Sequence, residues 1–101
     1  MTVLSYFFSQ DIIFHRIQKL LKRQGYQLNG IDTENGVIQA SKGISLWGPV
    51  VKVELAVEFQ GEALTRVSVN ATKGKSWLNV SDKRIRDFEH RLVEKLYGGV
   101  I

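Results

Sequence analysis

His15 and His90 are the two side chains suited to proton transfer or metal ligation near neutral pH. Neither has a second histidine, or a carboxylate at a recognised ligand spacing. His90 and Glu94 stand four residues apart, which on a helix makes an ordinary surface pair. The chain contains no cysteine, which removes thiolate nucleophiles, disulfides and thiolate-held zinc together. Its serines include no Gly-x-Ser-x-Gly turn, and there is no phosphate loop or dinucleotide fingerprint. Glu54 and Glu58 alternate with apolar residues and read as a solvated strand face, with nothing to separate their pKa values as acid–base chemistry requires. No catalytic, cofactor or metal site emerges, and a non-enzymatic protein is expected.

The cations carry more information. The formal charge is +4, with excess positive charge in residues 1–25 and 73–101 and excess negative charge between them. Arg16, Lys19 and Arg23 recur at i, i+3 and i+7 beside His15 and Lys22. Lys73 and Lys75 precede Trp77, and Lys83, Arg84 and Arg86 follow. Cations interleaved with aromatics can hold phosphates and stack bases, so Arg16, Lys19, Arg23, Lys73 and Lys75 are candidate nucleic-acid contacts. Against this, helix surfaces carry charge in any case, and Asp82, Asp87 and Glu89 dilute the second group. Trp47 and Trp77 stand in loop-like segments, where they either plug the end of a core or form a ligand or partner patch.

Seven elements have to position these residues. Residues 2–8 are rich in β-branched and aromatic types and read as a strand. Ser9 suits an N-cap, and Ile13, Ile17, Leu20 and Leu21 give a helical stripe over about 10–24, with Gly25 to close it. Two strands flank Thr33-Glu34-Asn35-Gly36. A two-residue Asn35-Gly36 turn sets Ile31 opposite Ala40 and Thr33 opposite Ile38. Tyr26 and Leu28 then need a bulge at Asn29-Gly30 to reach the inner face.

Val51, Val53, Leu55, Val57 and Phe59 alternate with polar positions, and Thr65, Val67, Val69 and Ala71 answer them. Matching the apolar faces pairs Val57 with Val67, Leu55 with Val69 and Glu58 with Arg66, with Gly61-Glu62-Ala63 as the loop. Ser81 opens a second helix striped by Ile85, Phe88, Leu92, Val93 and Leu96. Asp82–Arg86 and Asp87–Arg91 support it, and Gly98-Gly99 stop it.

The order β-α-β-β-β-β-α, with half-apolar strands and two amphipathic helices, predicts one two-layer α+β domain over residues 1–101: an antiparallel sheet of about five strands with both helices on one face. It resembles the TATA-box-binding-protein-like fold, which shares that order, and more loosely the helix-grip domains with a long C-terminal helix across a sheet. The first resemblance implies a sheet face applied to DNA. Here that face offers Lys52, Glu54, Glu58, Arg66, Gln39, Ser68 and Asn70, mixed in charge and poor in the aromatic wedges that minor-groove binding uses.

A chain of 101 residues that is 44% hydrophobic and 24% charged builds a single core. No apolar run reaches the roughly 18 residues of a membrane span, and the Val3–Phe8 run lacks the form of a signal core. The expectation is a cytoplasmic, non-enzymatic binding or interaction domain without cofactor or membrane attachment, whose partner is an unidentified protein or a second copy. The alternatives are nucleic-acid binding through the basic helix faces and carriage of a small apolar ligand in a helix–sheet pocket near Trp47 and Trp77.

Overall fold

The computed structural model describes residues 2–43, 51–61, 64–74 and 81–99. The elements are β1 (Thr2–Tyr6), α1 (Gln10–Arg23), β2 (Gln27–Asp32), β3 (Val37–Lys42), β4 (Val51–Gly61), β5 (Leu64–Lys73) and α2 (Asp82–Gly99). The strands form one antiparallel sheet in the order β1-β5-β4-β3-β2. This is the α+β architecture expected from the element order.

The inner face is built by period-two alternation. Val51, Val53, Leu55 and Val57 of β4 are buried beside Val67 and Val69 of β5 and Ile38 and Ala40 of β3. The β4–β5 register pairs Val57 with Val67, Leu55 with Val69 and Glu58 with Arg66, as the apolar match requires. That last pair closes a salt bridge at 2.7 Å between half-exposed groups, so it contributes at most about 1 kcal/mol. Near the turn the register shifts between Phe59 and Gly61, and Gly61 pairs with Leu64. Gly61 therefore belongs to the ladder rather than the loop, and Glu62 and Ala63 lie outside the described residues. Phe59, expected inside, is 63% exposed, next to the register shift that precedes Gly61.

The β2–β3 turn departs from the two-residue turn. Asp32 pairs with Val37 and Ile31 with Ile38, leaving Thr33-Glu34-Asn35-Gly36 as a four-residue connection. The Asp32 carboxylate accepts from the Asn35 backbone N–H at 3.1 Å and from its side-chain amide at 2.8 Å, an Asx turn that outcompetes the shorter hairpin. Both bonds favour the ionised form and hold the Asp32 pKa below the usual carboxylate value. Gly36 does adopt positive φ, at 66°. The bulge at Asn29 is present, with a register shift between Leu28 and Gly30 that returns Leu28 and Tyr26 to the core side.

On α1, Ile13, Phe14, Ile17, Leu20 and Leu21 are buried. Ser9 sits at the N-cap, but its hydroxyl makes no capping bond; its carbonyl accepts from Ile13 N–H at 3.2 Å. The other end closes as a Schellman motif, with Gly25 at φ 84°, Gly25 N–H donating to Lys22 O and Tyr26 N–H donating to Leu21 O. α2 starts with Ser81 Oγ accepting from Arg84 N–H at 3.3 Å and buries Ile85, Leu92 and Leu96. Gly98 and Gly99 are its last residues, as the sequence places its end. Leu20 approaches Gly99 so closely that a Cβ there would come within 2.7 Å of it.

Long-range hydrogen bonds fix α2 to the sheet. Tyr6 Oη donates to the Leu96 carbonyl at 3.0 Å, and burial pushes its pKa up to about 12. Glu89 accepts from Thr2 Oγ1 at 2.8 Å and from Ala71 N–H at 3.3 Å, taking a donor that β5 exposes beyond the end of β1.

Candidate functional site

Arg16, Lys19 and Arg23 lie exposed along α1. Arg16 places its guanidinium over the Phe8 ring, 5.5 Å from the centroid, which ties it to the surface beneath. Lys73, at the end of β5, reaches Asp82 at 3.1 Å. Lys75, Trp47 and Trp77 lie outside the described residues. His15 is exposed, with Nδ1 2.8 Å from its own helix carbonyl at Asp11, and His90 is also exposed. Among the described residues, no group of three or more His, Asp or Glu side chains is arranged to hold a metal.

Folding brings together a different set. The C-terminal end of α1, the end of β3 and the middle of α2 enclose a groove of about 150 Å³. The Schellman turn delivers Gln24 and Tyr26 to it, β3 delivers Lys42, and α2 delivers Phe88, Arg91, Leu92, Glu94 and Lys95. Phe88, Arg91 and Lys95 stand at i, i+3 and i+7, so one helical face presents all three. The Lys42 ammonium lies 5.2 Å from the centroid of the Tyr26 ring. Tyr26 is buried, and burial raises its pKa, so its hydroxyl stays protonated at neutral pH.

Lys42, Arg91 and Lys95 oppose only Glu94, and among the described residues none of the three cations forms an ion pair. Positive charge in a concave surface floored by apolar side chains focuses its field outward. A second depression of about 250 Å³ adjoins the groove, shares Phe88 and Arg91, and adds Arg84 and Asp87.

The outer sheet face holds a larger concavity, of about 260 Å³, that includes Gln39, Lys52, Glu54, Asn70 and Thr72. Its charges are balanced, and Gln39 donates to Glu54 at 3.4 Å. That face is polar as expected, with Ser41 covered by an Asn29 amide donating at 2.9 Å.

The sequence spacing of Arg84, Phe88, Arg91 and Lys95 was a legible signal for the α2 half of the groove. Lys42 gave none, because only the topology sets the end of β3 beside α2.

No protein-family model matches this chain, and no curated protein matches it in sequence. Solved structures do match in fold. A chain from the adenylate sensor of AMP-activated protein kinase, in complex with the ribofuranotide ZMP, superposes with a TM-score of 0.72 at 17% identity, covering 94% of both chains. An uncharacterised protein from Bacillus thuringiensis gives a TM-score of 0.66 at 14% identity, covering 98% of this chain and 93% of its own. At these identities the likeness shows the shared fold, and the TATA-box-binding-protein resemblance stays at the level of element order.

Proposed function

We propose that this chain is a non-enzymatic binding domain that takes an anionic group of its ligand in the groove between α1, β3 and α2. The observation that carries the reading is the convergence of Lys42, Arg91 and Lys95 on one concave surface without ion-pair partners among the described residues. A phosphate or carboxylate there gains charge-assisted hydrogen bonds, for which Arg91 offers a planar fork. Phe88, partly exposed, supplies apolar surface for the remainder of the ligand. The similar chain comes from a sensor solved with a nucleotide, a setting that supports binding in preference to catalysis.

The groove also separates the rival readings. Nucleic-acid binding would instead draw on Arg16, Lys19 and Arg23, exposed along α1, and on Lys73 of β5, which pairs with Asp82. The apolar-carrier reading rests on a pocket near Trp47 and Trp77, which lie outside the described residues.

The test is a backbone-amide NMR titration with phenyl phosphate, which joins an anion to a flat ring. Shifts are expected at Tyr26, Lys42, Phe88, Arg91 and Lys95, with affinity falling more than about tenfold in a K42E/R91E double variant. Shifts spread along Arg16, Lys19 and Arg23 instead, or unaffected by K42E/R91E, overturn the reading.

A further inference from the structure

The two edges of the sheet are built differently. β2 is interrupted by the bulge at Asn29, weakened by Gly30 and ends on charged Asp32, devices that deter pairing with another strand. β1 has none of these. Among the described residues it pairs with β5 on one side only; it is regular along Thr2–Tyr6 and has no charged residue between Thr2 and Ser9. Val3 is 47% exposed and Phe7, just beyond the strand, 82%. An unguarded edge of this kind is a template for strand addition.

We infer that β1 pairs antiparallel with β1 of a second copy, about a two-fold axis near Leu4, to make one continuous sheet. That register sets Thr2 opposite Tyr6 and Val3 opposite Ser5 of the other chain, and no like charges meet. The helix layer fits the same axis. Glu89 bonds to Thr2 and Leu96 to Tyr6, so α2, packed chiefly on β5, runs in the direction of β1, and Val93 falls between the two bonded positions as Leu4 does on β1. Both Leu4 and Val93 are only partly buried, apolar side chains at the centre of the expected contact.

Helical spacing places Arg86, His90, Val93 and Tyr97 on the flank of α2 opposite Arg91 and Lys95. The two-fold brings Tyr97, 70% exposed, towards Arg86 of the other copy, a ring against a guanidinium. The contact leaves the anion groove open and is independent of its ligand.

The absence of native cysteine makes the register directly testable. Purified V3C and S5C are mixed under mild oxidant, since cross-strand partners fall within disulfide reach. The expected product is the V3C–S5C mixed dimer, in preference to either variant linked to itself. In parallel, sedimentation equilibrium should show wild type as a concentration-dependent dimer. V3K/S5K, which sets lysine opposite lysine, should be monomeric with an unchanged circular-dichroism spectrum. A wild type that stays monomeric at hundreds of micromolar, or a dimer indifferent to V3K/S5K, overturns the inference.

Discussion

Gly36 meets two separate demands. Its φ of 66° belongs to the region where a side chain is strained, and its carbonyl accepts from Val57 N–H at 2.7 Å, next to the Val37–Ala56 pair of the β3–β4 ladder. A Cβ there would run into the Val57 carbonyl oxygen, while the space around Gly61 is open. Gly36→Val should therefore lower the denaturant midpoint by the equivalent of about 2 kcal/mol or more, and Gly61→Val by clearly less. Equal shifts would show that the β4 contact is dispensable. Tyr6 makes a prediction in pH. Its hydroxyl ionises at 10.0 when unperturbed and at about 12 in the fold. The stability this provides is whole below about pH 10 and is lost as pH rises from about 10 to 12. Tyr6→Phe forfeits about 1 kcal/mol at neutral pH, where the bond to Leu96 is lost. It should also flatten the fall in denaturant midpoint across that alkaline window.

Among the elements, legibility followed how many independent signals agreed. β4 and β5 each alternate, and their apolar match and the Glu58–Arg66 pair specify one register, which the structure adopts. The face assignment makes a direct test. Leu55 is fully buried and Lys52 exposed, so Leu55→Asp should unfold the domain through an unpaired buried charge while Lys52→Asp leaves the melting temperature nearly unchanged. The β2–β3 turn was less legible because Asn-Gly propensity competes with an Asp32 side chain whose bonds appear only in three dimensions. Glu89 looked like a diluting surface charge, and it instead bonds to both β1 and β5. Of the groove, one helical face could be read from spacing, while Lys42 and Tyr26 join it through the sheet order and the turn after α1.

At the scale of the whole molecule, the bonds that attach α2 to β1 join residues 87 and 90 positions apart. The β2–β3–β4–β5 meander, by contrast, links each strand to the next in sequence. Loop closure therefore dictates an order of events. The meander and α1 can assemble from neighbouring segments, whereas β1 reaches β5 and α2 only after the intervening chain is in place. Bonds made that late are absent from the folding transition state. Glu89→Ala, costing about 1–3 kcal/mol, should accelerate unfolding in stopped-flow chevrons and leave the refolding arm unmoved, a φ-value near zero. Substitutions at Leu55 or Val67, within the meander, should slow refolding instead. The kinetic lifetime of the native state thus rests on the pairing of its first and last elements, and the speed of reaching it on the strands between them.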